Sequence, residues 1–386
     1  MKIHDKITPD GTRDILFEQC EAKRSIERRL ARFFRHRGFD EVMTPGLEFY
    51  DVFYSNAAYF PQETMYKLTD SKGRLMVMRP DCTIPIARLM GTRLAGLEKP
   101  VRLYYDQNVY RSNPSMKGFS NEITQTGVEL IGAGSIKADL EILELAANGL
   151  THCSIENYRL EICHIGYFKQ LMNNLEADDT EKEKIRELIE SKNYAALGDV
   201  LKSYPESEAV TALAKLPEMF GGCDVIDQAA KLFPNGKKVL DELRSVYESL
   251  QALGLGEKVI VDLGLVNQAE YYTGIIFRGY VDGVGEPVLS GGRYDKLMQD
   301  FGQALPATGF AVNVNQLSRV LLEKGDTVPP KTQILLFSEK QCDPLVFARM
   351  KELVEQGIRC EYSLFDTLEQ TKAYAKSKGI PTVEVL

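Results

Sequence analysis

Three short stretches of this chain carry side chains whose types and spacing suit the capture of a small zwitterion. Asp81 and Thr83 follow Arg79-Pro80, where the proline forces Arg79 out of helical geometry before a helix-like run resumes. A carboxylate and a hydroxyl at that junction can receive a ligand ammonium, and they can equally cap the helix that begins there. Gln125, Gly127 and Glu129 share one face of a strand-like segment, the outer two roughly 13 Å apart by strand rise. The glycine between them leaves room above the sheet in which both can converge on something of amino-acid size. Solvent-facing polar residues would give the same alternation. Tyr271 and Tyr272 open a glycine-punctuated run, Y-Y-T-G-I-I-F, and their phenolic oxygens can donate to or accept from the polar end of a ligand. Tyrosines that only pack are the competing explanation.

The elements that must position these groups follow from periodicity. Ile26, Leu30, Phe33 and Phe34 form one stripe of a helix over residues 20–39, with Arg24, Arg28, Arg32 and Arg35 off that stripe as a solvated basic face. Gly38 ends it, and Thr44-Pro45 marks a sheet edge or turn. A strand over 75–79, a helix over 83–90 and a long-looped hairpin over 101–131 come next. Residues 169–256 read as a helical insertion between strands over 158–165 and 259–266, interrupting one sheet. His164 lies in the first of those strands and, with only four histidines and no H-x-x-x-H, is read as structural. Glycine-punctuated antiparallel strands follow Tyr271, with a turn at Asp282-Gly283. A βαβαβ unit then closes the chain over 331–386, after a linker at Pro329-Pro330.

Composition sets the outer limits. A chain of 386 residues predicts two or three domains, and 44% hydrophobic with 26% charged residues fits a soluble globular protein. No apolar run is long enough to cross a bilayer and the start has no signal-peptide layout, so a cytoplasmic protein is expected. Seven scattered cysteines without a C-x-x-C predict neither a disulfide framework nor a zinc site, and no cofactor or metal is expected. A net charge of −8 gives no general attraction to phosphate backbones.

Order and spacing together go further, because six motifs resemble the catalytic domain of histidyl-tRNA synthetases, class II enzymes, over residues 8–320. They are G-F-D-E-V-M-T-P (38–45), R-P-D-C-T (79–83), Y-R (110–111) with Q-T-G-V-E (125–129), Y-Y-T-G (271–274), G-G-R-Y-D (291–295) and P-A-T-G-F-A (306–311). The resemblance implies an α+β fold: a class II synthetase-like antiparallel sheet flanked by helices over 1–325, with the helical insertion and a small C-terminal α/β domain. It also implies that Asp81, Thr83, Gln125, Glu129, Tyr271 and Tyr272 hold histidine. Asp81 stands where the family has glutamate, one methylene shorter.

The departures bear on mechanism. Making an aminoacyl-adenylate concentrates negative charge that fixed cations must stabilise. Arg111 of the second motif is present, but the family's R-G-L-D becomes Asn267, Gln268, Ala269 and Glu270, and its motif-closing arginine becomes Gln316, with Arg319 out of register. The C-terminal unit resembles only the first part of the family's anticodon-binding domain. A histidine pocket without these arginines resembles the regulatory subunits of ATP phosphoribosyltransferase. That resemblance implies a non-catalytic chain, homodimeric within a hetero-octamer, which serves a short-form catalytic subunit in histidine biosynthesis and confers feedback by L-histidine. Two alternatives stay open: an active synthetase using Arg278 or Arg319 from a new direction, and an adaptor binding tRNA through the basic first helix.

Overall fold

A computed structural model describes residues 6–54, 62–112, 120–266, 271–325, 330–341 and 343–386. Asn267 to Glu270, Pro329, Cys342 and most of the hairpin loop lie outside the described residues. The chain divides into two compact units, Met1–Lys324 and Gly325–Leu386.

The first unit is built on a sheet with nine strands among the described residues. In spatial order they are Asp40–Glu41, Val101–Tyr110, Glu122–Ile131, Ala307–Asn313, Leu289–Arg293, Ile275–Val281, Tyr158–His164, Val259–Asp262 and Phe220–Gly221. The six strands from Val101–Tyr110 to Tyr158–His164 are antiparallel neighbours, while Asp40–Glu41 and Val259–Asp262 join as parallel pairs. The first helix, Phe17–His36, buries Ile26, Leu30, Phe33 and Phe34 and packs against the helix Val314–Glu323 and the hairpin. Its polypeptide turns away at Gly38, whose φ of +80° suits a residue without a side chain. Three of the four arginines of its outer face are paired: Arg24 with Glu27, Arg28 with Glu21 and Arg35 with Glu41.

Some boundaries differ from expectation for local reasons. The insertion is not wholly helical, because Phe220–Gly221 adds an edge strand antiparallel to Val259–Asp262. Its first helix starts at Ile165, where the His164 ring accepts the Gly166 N–H as a cap. The strand expected to reach 266 stops at Asp262, whose side chain accepts the Gly264 N–H at 2.9 Å and turns the chain. A second, three-stranded sheet was not foreseen: Leu47–Phe49 and Lys67–Thr69 flank Leu75–Met78.

The second unit has three parallel strands, with Ile334–Phe337 between Cys360–Tyr362 and Thr382–Val385. Its helices are Pro344–Glu355 and Leu368–Lys378, capped by Asp343 and Thr367. Small clusters around Leu335 with Ala375 and Ile380, and around Leu336 with Val346 and Leu353, form its interior.

Candidate ligand-binding site

The junction after Leu75–Met78 is fixed by Arg79. Its buried guanidinium donates to the Thr44 and Pro45 carbonyls at 2.7 and 3.0 Å and to the Asn108 carbonyl. The bend at Pro80 is therefore rigid, and it presents Asp81 and Thr83 at the head of the helix Thr83–Gly91. Asp81 fills the capping role that its position allowed and also stands beside a guanidinium. One oxygen accepts the Ile84 N–H at 3.0 Å as a cap, and the other lies 3.9 Å from the Arg111 guanidinium. Thr83 is not a cap; its hydroxyl donates to Glu129 at 2.8 Å.

Glu129 is the centre of the site. It is 1% exposed, takes the Thr83 hydroxyl on one oxygen and the Tyr294 phenol on the other, and makes no ion pair among the described residues. Burial pushes its carboxyl up to about 8, against the pull of the two hydroxyl donors and with a further push from Asp81. Asp81 is also raised, by burial first, with Arg111 opposing. Two desolvated carboxyls thus stand close together, the charge of Asp81 adding to the rise at Glu129.

Cross-strand register corrects the expectation about room. Tyr105 stands opposite Gly127, and a side chain at Gly127 would meet the Tyr105 phenol at 2.5 Å and the Phe310 carbonyl at 2.6 Å. The gap above Gly127 is thus filled by Tyr105. One strand away, Gly309 faces Glu129 and Gly292 lies beyond it. A Cβ at Gly309 would fall 2.1 Å from the Glu129 carboxylate, so that carboxylate lies across the glycine.

Tyrosines close the site. Tyr271 and Tyr272 are buried with ring centroids 4.6 Å apart, and Tyr294 meets Tyr271 edge-on at 5.8 Å and 80°. Burial raises all three phenols, Tyr272 to about 12, so they remain donors at neutral pH. Gln125 lies on the same strand face as Glu129, and its side-chain carbonyl oxygen is buried without a hydrogen-bond partner among the described residues. An orphaned acceptor of this kind needs a donor that the described residues do not supply.

Asp81, Thr83, Glu129, Tyr271 and Tyr272 are therefore brought together, with Gln125 on the same strand and Arg111 beside Asp81. Gln316 sits in the first turn of Val314–Glu323 and bonds Asn313 through its backbone N–H. Asn267 lies outside the described residues. Arg319 is ion-paired with Glu323 at 3.0 Å on the exposed side of the helix, and Arg278 donates to the Val266 carbonyl at 3.2 Å, with Glu190 3.8 Å away. Two members were missed. Tyr294 lies within G-G-R-Y-D, a motif that gives no sign of its contact with Glu129, and Tyr105 is signalled by aligning the hairpin so that a large residue faces Gly127. His164 is 6% exposed and works as a helix cap, with Glu242 3.4 Å from its other nitrogen.

A family model described as histidyl-tRNA synthetase matches residues 11–317. The ATP phosphoribosyltransferase regulatory subunit of Clostridium kluyveri is 42% identical, covering 98% of this chain and 99% of that protein. The regulatory subunit of Clostridium botulinum (strain Langeland) is 40% identical, covering 98% and 92%. Among solved structures, an ATP phosphoribosyltransferase regulatory subunit/histidyl-tRNA synthetase from Bacillus halodurans superposes with a TM-score of 0.86 at 31% identity, over 100% of this chain and 99% of that one. The histidyl-tRNA synthetase of Nostoc sp. PCC 7120, with a TM-score of 0.78 at 19% identity over 97% and 90%, shares the fold.

Proposed function

The chain belongs to the ATP phosphoribosyltransferase regulatory subunits, within the histidyl-tRNA synthetase family, and on that premise we propose that it is a histidine sensor that binds L-histidine between Asp81, Thr83, Gln125, Glu129, Tyr271 and Tyr272. Its place is the first step of histidine biosynthesis, where it acts as a regulatory subunit with a catalytic partner. The observation that carries the ligand reading is the pair of buried carboxyls, Asp81 and Glu129, facing a tyrosine wall with no ion pair to Glu129 among the described residues. Such a site is costly when empty and is relieved by a ligand bringing its own cation and N–H donors. Histidine supplies an ammonium for Asp81, Thr83 and the unpartnered Gln125 oxygen, and an imidazole for Glu129 and the phenols. Arg111, already beside Asp81, is placed to take the ligand carboxylate.

The same reading has aminoacylation lost. Adenylate formation needs cations at the α-phosphate, and removing one preorganised group of this kind typically lowers turnover about 100- to 1,000-fold. Glutamine stands at 316 and asparagine at 267, while Arg278 and Arg319 are committed elsewhere. The carboxylates that pair Arg24, Arg28 and Arg35 of the first helix weigh against the tRNA adaptor. We place the chain in the cytoplasm, as homodimers within a hetero-octamer with the short-form catalytic subunit. Feedback then requires histidine to prefer one arrangement of that assembly, and about 1–3 kcal/mol of coupling suffices for a several-fold effect.

Reconstitution with the short-form subunit is the test. Activation by this chain, reversed by histidine and accompanied by saturable histidine uptake in calorimetry, is expected. Histidine-dependent exchange of pyrophosphate into ATP by the chain alone would overturn the reading.

A further inference from the structure

Beside the tyrosines lies a buried charge cluster, Arg293 with Asp139, separate from the side chains expected to hold the ligand. Arg293, 6% exposed, ends the strand Leu289–Arg293, and its Nε lies 2.9 and 3.0 Å from the two oxygens of Asp139, which is 5% exposed on the helix Ile136–His152. Its Nη1 donates to the Ala133 carbonyl at 3.2 Å and to Asp295 at 3.1 Å, and its Nη2 donates to the Ser135 carbonyl at 3.2 Å. Every nitrogen of the guanidinium is engaged, so Arg293 is not a spare cation for a phosphate.

What this arginine anchors is the corner where the tyrosines meet. The Arg293 carbonyl accepts the Thr273 N–H at 2.7 Å, and the Asp295 N–H donates to the Thr273 hydroxyl at 3.0 Å. Gly274 has no side chain because the Arg293 stem passes there; a Cβ would lie 2.8 Å from Arg293 Cδ. Between Arg293 and Asp295, Tyr294 reaches Glu129 with its hydroxyl and Tyr271 with its ring edge. One tripeptide thus holds Thr273 by its backbone, and Glu129 and Tyr271 by the side chain of its middle residue. The tripeptide itself is fastened by Arg293 to the segment leading into Ile136–His152. By contrast, Asp81 and Thr83 are positioned from a different element, through Arg79 and Pro80.

We propose that the Arg293–Asp139 pair is a specificity-determining positioning device, which holds Tyr271, Tyr272 and Tyr294 in register with Glu129 and so sets how sharply the pocket reads the ring of its ligand. The inference rests on the pocket reading above and adds a division of labour: the Asp81 side grips the amino-acid backbone, and the Arg293 side judges the side chain. Loosening the latter costs discrimination more than it costs grip.

The experiment compares L-histidine with its ring-methylated analogues by calorimetry or competition, in the full chain and in Asp139→Asn, which keeps the volume and removes the charge. A tight cage rejects a ring methyl by about 10- to 200-fold, the range for one methyl in a closed pocket. In Asp139→Asn that ratio is expected to shrink about tenfold or to the detection floor, while histidine itself still binds. Asp295→Ala, at the more exposed edge of the cluster, removes one Arg293 partner and gives the same change in smaller measure should Asp139→Asn not fold. A purely structural role would weaken histidine and the analogues equally, and an unchanged ratio in a folded variant sinks this proposal alone. A wild-type chain that takes up neither ligand sinks the pocket reading and this one with it.

Discussion

Replacing Glu129 by glutamine separates the two things this residue does, because Glu129→Gln keeps the shape and the acceptor for Thr83 but removes the ionisable group. The carboxyl stands at about 8 instead of the usual 4.5, a displacement that corresponds to about 5 kcal/mol against its ionised form in the empty pocket. The sign follows from proton binding. Below pH 4.5 Glu129 is protonated in both folded and unfolded chains and imposes no penalty. Between 4.5 and 8 the unfolded chain ionises while the folded one stays protonated, so rising pH costs stability, by up to about 1.4 kcal/mol per pH unit. Above 8 both states are ionised and the contribution is level. Urea unfolding of the ligand-free chain at pH 5, 6, 7 and 8, followed by a probe in the synthetase-like unit, should show that slope in the wild type and a flatter one in Glu129→Gln. Asp81, raised in the same direction, remains in both and supplies a shared background. At pH 8 the variant is expected to be the more stable of the two, yet to bind histidine about 100-fold more weakly, since it lacks the carboxylate that a bound cation draws into its ionised form. Calorimetry above pH 7 in buffers of different ionisation enthalpy should also show proton release on histidine binding by the wild type. Identical pH slopes in the two proteins would refute the assignment of a strained carboxyl to this site; unchanged histidine affinity would remove Glu129 from it.

Further outcomes follow from the same geometry. Gly309→Ala places a methyl on the Glu129 carboxylate and 2.3 Å from the Val128 carbonyl, so it should destabilise the chain by about 1–3 kcal/mol and abolish histidine uptake, seen as a lowered Tm with no histidine-induced rise. Tyr294→Phe deletes a donor to Glu129, which moves that carboxyl further up and should weaken histidine about tenfold; an unaltered affinity would mean that the phenol only packs. Gly127→Ala collides with Tyr105 and should lower Tm without the selective loss of binding seen at Gly309, a contrast readable by scanning calorimetry with and without ligand. Binding of tRNA at physiological salt is expected to be negligible, and a tight complex with a steep salt dependence by filter binding would revive the basic face of the first helix.

Much of the architecture was legible because it is written in local periodicity. The stripe of Ile26, Leu30, Phe33 and Phe34 predicts the first helix, and the alternation through 101–109 and 123–131 predicts the hairpin that pairs Tyr105 with Gly127 and Leu103 with Glu129. What stayed hidden depends on partners far apart in the chain. Tyr294 meets Glu129 across 165 positions, and Gly309 serves that carboxylate only because Ala307–Asn313 lies beside Glu122–Ile131 in one particular register. The edge strand Phe220–Gly221 is too short to leave a period, and its extended form is imposed by Val259–Asp262 alongside it.

The same distinction bears on how a sensor can be made from an enzyme frame. The residues assigned to the ligand also hold the protein together: Asp81 caps a helix, Thr83 and Tyr294 satisfy a buried carboxyl, and Tyr271 packs against Tyr294. Removing any of them exposes an unmet buried group, at a cost of about 1–3 kcal/mol to the fold itself. The positions where adenylation would need arginine carry no such duty where the structure describes one: the bond made by Gln316 comes from its backbone N–H, which any residue but proline supplies. A charge that serves only chemistry can be exchanged without disturbing the core, whereas a pocket built from core contacts cannot. Binding without catalysis is therefore the state such a fold reaches most easily, and a histidine-responsive regulator needs only that state together with a partner able to feel it.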